Sequence, residues 1–503
     1  MDSSTTFRNA GSGQKQLSDD PREQIVDARA AAYAGASEAR GQLVELFDAG
    51  SFVEYGLLAG RTSDVDDDAP ADGLVGGVGE VDGHPVAAAA YARDVQAGTQ
   101  SERNQRKLAK LVYLAMENRW PLVLFLDGDG ARRDDPLPPP PIVNRTRARW
   151  DVIDGLAELS GWAPTIGVVS GKCLDAHAAQ AFLCDAVVAV AGAEIGGTGA
   201  GGVVTRSAEM YAGRGELDAV VGDHAAARTW VRRYLCFWTQ TKINGEISPT
   251  HEKIGQIVPK NRRQPYDMRK LVEAFADLDT VLELGRGWAP SMITALARLE
   301  GRAIGIFANQ PFSPRAGAID SAAADKAARF VELCDAYELP LVSFVDNPGY
   351  MVGPDAESEG IARHHARPLS AIHHRSVPLY TVQIRKAYGL GPYAMSGYGS
   401  SRRMPELRLS WPSVESGGMS LEGAAYLVKR REIRAAANAR EARAIRDRYA
   451  EEMRDVASGV RAGRTYSFDD VVLPEETRGR IGAMLDRVTA VRGTVKKHPI
   501  DPR

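Results

Sequence analysis

The chain is short of the features that mark secreted, membrane-spanning or metal-built proteins. Its four cysteines, Cys173, Cys184, Cys236 and Cys334, are scattered over 503 residues. None forms a C-x-x-C pair or has a histidine at ligand spacing, which argues against a disulfide framework and against zinc. The pairs His364-His365 and His373-His374 do not rescue a metal site, because neighbours on a helix point to different faces. No metal is expected. Apolar runs such as Val86 to Ala92 or Leu122 to Leu126 fall far below the roughly 20 residues that cross a bilayer. Charge is nearly balanced, with 62 basic against 65 acidic residues and a formal net charge of −3, so no global field invites nucleic acid or an anionic membrane. The Arg-rich stretch Lys429 to Arg448 is interleaved with Glu and Ala and reads as a solvated amphipathic helix. Residues 1–20 are polar and lack the apolar stretch of a signal peptide, so they read as a disordered leader. The absences together predict a soluble, cytoplasmic protein with reduced thiols.

What the chain does have is length and repetition. Its 503 residues exceed the roughly 100 to 200 of a single domain, and the second half echoes the first. Glu117 to Asp127, with Pro121 before Leu-Val-Leu-Phe-Leu-Asp, returns as Ala336 to Asp346, with Pro340 before Leu-Val-Ser-Phe-Val-Asp. Gly79 to Val86 is echoed by Arg298 to Ile304, Trp162 to Val169 by Ser376 to Gln383, and Gly50 to Gly56 by Asp279 to Gly285. Such long spacing means a duplicated domain rather than a solenoid. Within each copy, Val/Ile/Leu-rich runs alternate with helical stretches such as Ser321 to Tyr337, which starts on a serine suited to capping. The fold class predicted is therefore α/β, with parallel strands covered by helices. The expected divisions are a domain over 21–240, a polar linker over 241–265 and a second domain over 266–503. The prolines from Pro136 to Pro141 mark an irregular loop, read as a mobile rim.

In parallel α/β units ligands gather beyond the carboxyl ends of strands, which singles out four glycine-bearing loops. They follow Asp127 (Gly128-Asp-Gly130-Ala131-Arg132), Ser170 (Gly171 to Asp175), Asp346 (Asn347-Pro-Gly349-Tyr350) and Arg385 (Lys386 to Gly391). Glycine after a buried strand lets successive backbone N–H groups turn toward one acceptor, which suits an oxyanion. Any one loop alone reads more readily as a plain strand-to-helix turn. Matching loops in two copies favour paired sites.

The passages Leu299 to Pro311, Ala316 to Asp320, Phe344 to Pro354, Arg385 to Gly391, Trp411-Pro-Ser413 and Gly418 to Ala424 resemble, in order, the carboxyltransferase (β) subunits of biotin-dependent acyl-CoA carboxylases, propionyl-CoA carboxylase included. Phe47 to Glu54 and Gly171 to Cys173 resemble the same family more loosely. The resemblance implies two tandem crotonase-like domains that move a carboxyl group from carboxybiotin to the α-carbon of an acyl-CoA. It places catalytic backbone donors on Leu390 and Gly391, for the biotin ureido oxygen, and on Asp175 and Ala176, for the thioester carbonyl. Gly349, Tyr350, Ala387, Tyr388 and Gly389 fall on the biotin side. Gly128, Gly130, Ala131, Arg132, Cys173, Leu174 and Tyr393 fall on the acyl-CoA side. The cofactors implied are biotin on a separate carrier and a CoA thioester. There is no Ala-Met-Lys-Met biotinylation motif and no Walker-type loop in the sequence, so the resemblance implies a biotinyl carrier and a biotin carboxylase as partner chains. It also implies a homo-oligomer, a hexamer built from dimers.

Two departures stand out. Common members of the family carry two glycines where this chain has Asp175-Ala176, and a carboxylate next to a forming enolate raises its energy unless turned away. Tyr393 stands where many members have a small acidic residue. A biotin-independent acyl-CoA decarboxylase, hydratase or hydrolase using Asp175 with His177 and a non-catalytic scaffold subunit are the alternatives.

Overall fold

The computed structural model describes residues 20–59, 70–132, 152–239, 243–397, 403–488, 493 and 495–502. The leader, apart from Asp20, and the proline-rich loop lie outside them. Asp20 caps a helix over Pro21–Ala34, its side chain accepting from the Arg22 amide.

The first half is a nine-stranded sheet: β1 (Val53–Glu54), β2 (Leu74–Val81), β3 (His84–Tyr91), β4 (Leu122–Gly128), β5 (Thr165–Leu174), β6 (Ala186–Val190), β7 (Glu194–Gly199), β8 (Gly202–Ser207) and β9 (Ala219–Val221). Its order is β1-β2-β3-β4-β5-β6-β9, with β7 on the far end of β5 and β8 on β7. The second half has eight strands: β10 (Leu282–Leu284), β11 (Met292–Leu299), β12 (Arg302–Asn309), β13 (Leu341–Asn347), β14 (Leu379–Tyr388), β15 (Leu407–Ser410), β16 (Glu415–Gly417) and β17 (Asp470–Val471). They run β10-β11-β12-β13-β14-β15-β17, with β16 on the far end of β14. Apart from β8, strand for strand, the second sheet repeats the first.

The repeat reaches local detail. Asp82-Gly83 and Glu300-Gly301 close equivalent hairpins with positive φ at both residues (52° and 76°, 52° and 77°), the two-residue turn that matches strand twist. Helix Glu102–Asn118 and helix Ser321–Ala336 follow at the same place in each copy. The second is capped by Asp320, which accepts from the Ala323 amide at 2.7 Å, and not by Ser321 as the sequence suggests. The central strands are buried end to end, as β4 and β13 show, which fits sheets covered on both faces. Within 241–265, helical turns occur at His251–Lys253 and Ile254–Ile257, and Ile254 is fully buried.

The halves pack directly. Asp185 of the first accepts from Tyr337 Oη (2.8 Å) of the second. The C-terminal segment also crosses between them: His498 Nε2 lies 3.1 Å from Asp335, and the Ile500 amide donates to Ser160 Oγ at 3.2 Å. Cys173, Cys184 and Cys334 are buried free thiols.

Candidate active site

Each half builds a turn where its two central parallel strands end. In the second half, the pairing of β13 with β14 slips between Val345 and Asn347, and the carboxylate of Asp346 fills the gap. It is completely buried, accepts from Tyr266 Oη (2.8 Å) and the Lys386 amide (3.0 Å), and lies 3.2 Å from Arg385 Nε. In the first half the β4–β5 pairing slips between Leu126 and Gly128. There Asp127 accepts from the Lys172 amide (2.9 Å) and pairs with Arg93 at 3.2 Å. One backbone device fixes both turns: a carboxylate at the strand end tied to a lysine amide on the neighbouring strand.

After that lysine the two chains run in step. The Gly389 amide donates to the Gly417 carbonyl on β16 (3.0 Å), and the Asp175 amide donates to the Gly196 carbonyl on β7 (3.0 Å). Both residues have positive φ, 64° and 52°. Asp175 is therefore the counterpart of Gly389, and its N–H is already bonded. This corrects the expected donor pair. The amides that follow, Ala176 and His177, match Leu390 and Gly391, and none of these four has an acceptor among the described residues. Each pair opens a short helix, Ala176–Phe182 or Gly391–Ser396, whose first amides lack intrahelical partners. The sequence missed this shift by one residue because only the strand pairing beyond each turn shows which amide is consumed.

The side chains placed by sequence separate into mouth and support. Leu390 and Tyr393 are exposed at 60% and 40%, and Asp175 is exposed too. Gly349 packs behind Gly391: a Cβ on Gly391 would sit 3.0 Å from the Gly349 Cα and 2.1 Å from Asn347 Oδ1. Asn347 is itself pinned, donating to Asn309 Oδ1 (2.9 Å) and accepting from the Gly349 amide (3.0 Å). Tyr350 stacks on His365 with ring centroids 3.7 Å apart. Ala387 and Tyr388 are buried; Tyr388 Oη donates to Glu415 at 2.7 Å, and burial pushes its phenol up to about 12.

In the first half, Gly130 faces Asp175, with a Cβ there only 2.8 Å from Asp175 Oδ2. Ala131 bridges to Gln100. Arg132 is corrected: its guanidinium turns inward, 4% exposed, onto Asp72 and Thr99, so it braces the loop. Cys173 and Leu174 are likewise buried, and burial drives the Cys173 thiol pKa up, leaving their backbone pairing with β7 as their contribution.

His177, read from the sequence as a possible acid–base partner of Asp175, is instead enclosed. Its ring is fully buried, stands edge-on to Tyr91 at 4.4 Å and lies against the backbone of Leu174 and Gly98. It presses on Gly128, where a Cβ would lie 2.7 Å from Nε2. Burial pulls its pKa down to about 4, so the imidazole is neutral at physiological pH. Beside it Gln105 donates to Tyr91 Oη (2.7 Å) and Gln180 to Gln105 (3.0 Å). A sealed imidazole and an Asp175 carboxylate held by the Thr198 amide (2.7 Å) do not form an acid–base pair. A cleft of about 630 Å³ lies elsewhere, between Ser160, Glu332, Arg375 and His498, and touches neither turn. Among the described residues no cluster of three or more His, Cys, Asp or Glu side chains suits a metal, and no helix is long and apolar enough to cross a membrane.

Two sheets of one topology, each ending in a turn with paired unbonded amides, define a duplicated α/β fold of the crotonase type suited to charge on a carbonyl oxygen. The carboxyl transferase domain family matches residues 33–498. The methylmalonyl-CoA carboxyltransferase 12S subunit of Propionibacterium freudenreichii subsp. shermanii is 32% identical over 493 residues, covering 92% of this chain and 91% of that one. The biotin-dependent long chain acyl-coenzyme A carboxylase beta4 subunit of Mycobacterium tuberculosis is 33% identical, covering 88% and 87%. The transcarboxylase 12S crystal structure, a hexamer with methylmalonyl-coenzyme A bound, superposes with a TM-score of 0.83 at 30% identity, covering 96% of this chain and 99% of that one. A single-chain, multi-domain long-chain acyl-CoA carboxylase gives a TM-score of 0.83 at 32% identity; the match covers 93% of this chain and about half (50%) of that one. The chain belongs to the carboxyl transferase family, as a carboxyltransferase of the biotin-dependent acyl-CoA carboxylase type.

Proposed function

We propose that this chain transfers a carboxyl group from carboxybiotin, on a separate carrier, to the α-carbon of an acyl-CoA. The observation that carries the proposal is the pair of equivalent turns whose amides face no internal acceptor, Leu390 with Gly391 and Ala176 with His177. In the second half, the Leu390 and Gly391 amides hold the biotin ureido oxygen as negative charge grows on it. In the first, the Ala176 and His177 amides hold the thioester oxygen as the enolate forms. Fixed amide dipoles of this kind act without reorganising at the moment of reaction. Carboxybiotin, when bound, would supply both the carboxyl group and, after its loss, a ureido base for the α-proton; this chain then needs no base of its own, consistent with the sealed His177.

The loop Gly128 to Ala131 lies beside the acyl turn and Gly349 with Tyr350 beside the biotin turn. Exposed Tyr393 shapes the acyl pocket across a contact between protomers. A biotin carboxylase, a biotinyl carrier and further copies of this chain, six in the ring, complete the enzyme, which works in the cytoplasm. The test is transfer of labelled carboxylate from a carboxylated biotin carrier to a panel of acyl-CoAs. The proposal expects label in at least one thioester and no turnover of malonyl-CoA without biotin. Biotin-independent decarboxylation would overturn it.

A further inference from the structure

We infer that Asp175 is a specificity-determining residue: its carboxylate disfavours a CoA thioester already carrying a carboxylate on the α-carbon, so the neutral acyl substrate is bound in preference to the carboxylated product. The inference rests on the Ala176 and His177 amides being the thioester site.

The backbone shows that an aspartate here is not the relaxed choice. Asp175 is held at φ 52° and ψ −114°, a conformation that costs a residue with a Cβ; its counterpart Gly389 also has positive φ, 64°, which a glycine adopts freely. Strain kept at a site mouth points to a use for the side chain. That side chain is in turn immobilised. Oδ1 accepts the Thr198 amide of β7 at 2.7 Å, while Oδ2 accepts no hydrogen bond among the described residues and faces Gly130 across the opening. Both flanks are glycines whose missing Cβ makes room: a Cβ on Gly130 would lie 2.8 Å from Oδ2, and one on Gly197 would lie 3.1 Å from Oδ1. The carboxylate thus bridges the 128–132 loop and β7 at the edge of the acyl turn, and it is exposed.

Among the described residues no cation pairs with it. Arg93 is paired with Asp127 and Asp129 at 3.2 Å each, Arg132 is buried on Asp72, and Lys172 is exposed to solvent. Covalent geometry puts an α-carboxylate, on a thioester held by the next two amides, about 5 to 8 Å from the Asp175 carboxylate. At an effective dielectric of about 40, repulsion over that distance amounts to about a tenfold change in affinity. The neutral acyl group feels none of it. The Thr198 bond keeps the carboxylate off the thioester oxygen itself, so forming charge is opposed less than finished product.

The test is calorimetric binding of propionyl-CoA and methylmalonyl-CoA to the full chain, as wild type, Asp175→Asn and Asp175→Glu. Asparagine keeps the shape and removes the charge; glutamate keeps the charge. The ratio of Kd for methylmalonyl-CoA to Kd for propionyl-CoA should fall about tenfold in Asp175→Asn and stay near the wild-type value in Asp175→Glu, with a roughly tenfold fall equal to about 1.4 kcal/mol. A merely structural role would shift both constants together. An unchanged ratio in Asp175→Asn overturns the inference while leaving the thioester site standing. The same comparison is made with whichever acyl-CoA of the panel accepts label and its α-carboxylated product; failure of the wild type to bind any of them overturns both.

Discussion

The two turns share a backbone and differ in how they fill it. In the second half Asn347 contributes its side chain and Gly391 contributes none; in the first, Gly128 contributes none and His177 contributes a ring. The space between strand end and turn admits one side chain, supplied in the second half by the strand end (Asn347) and in the first by the helix that follows the turn (His177). What both keep is the carboxylate tied to a lysine amide and the turn amide bonded to a neighbouring strand. The pairing of backbone donors is therefore the common chemistry, and the side chains around it are where the halves have specialised.

The comparison breaks most visibly at the two carboxylates. Asp346 is sealed with Arg385, whereas the Asp127–Arg93 pair is partly open, with side chains 19% and 36% exposed. Stranding a buried partner costs about 3 to 5 kcal/mol, and an open pair contributes about 1 kcal/mol or less. Asp346→Ala should lower the unfolding midpoint far more than Asp127→Ala; equal losses by calorimetry would deny that the second turn is the more deeply anchored.

The amides themselves can be removed singly. Leu390 has φ −82° and an exposed side chain, which suits proline, and Ala176 is the first residue of its helix, where proline is tolerated but strains Asp175 before it. Each variant deletes one N–H donor and should lower carboxyl transfer by about 10²- to 10³-fold, roughly 2.7 to 4 kcal/mol, with the unfolding midpoint nearly unchanged in Leu390→Pro and lowered in Ala176→Pro by the strain on Asp175. They should differ in kind. Leu390→Pro should impair turnover of carboxybiotin, and Ala176→Pro should also slow enolate formation, read as α-proton exchange of the acyl-CoA.

The one-side-chain rule gives a smaller test. Gly391→Ala drives a Cβ into Asn347 Oδ1 and should cost about 1 to 3 kcal/mol by overpacking. Adding Asn347→Gly should recover part of that, and strictly additive losses in the double-mutant cycle would refute the shared space.

Smallest is the pH effect at the joint between halves. Asp335 holds the His498 pKa above its ordinary value, while burial, outweighed by the His498 and Ser376 bonds and Lys497, leaves Asp335 at about 2. A raised histidine stabilises fully below its unfolded value near 6.5 and loses that contribution as pH rises through the folded value. The lowered aspartate stabilises above about 3.8 and loses its contribution as pH falls toward 2. The thermal midpoint should decline modestly from pH 6 to 9, and His498→Gln should flatten that decline; an unaltered slope would remove the joint from the account.

Much of the frame was legible in the sequence. The duplicated proline-led strands ending in Asp127 and Asp346, and the glycine loops after them, mark both turns. Less legible was the register of the donors: Asp175 looks like a donor until β7 is seen to consume its amide, a long-range pairing that no local pattern encodes. Arg132 follows a loop glycine and reads as a ligand contact, yet Asp72, sixty residues earlier, draws it inside. For Leu390 and Gly391 the resemblance and the unbonded amides of the turn point to the same pair, because the Lys-Ala-Tyr-Gly run that leads into them is local.

The most direct measurement is a structure of the assembled protein with propionyl-CoA and biotin bound together. The account predicts the thioester oxygen about 3 Å from the Ala176 and His177 amides and the ureido oxygen about 3 Å from those of Leu390 and Gly391. A thioester or ureido oxygen seated elsewhere, with either amide pair facing only solvent, would contradict it.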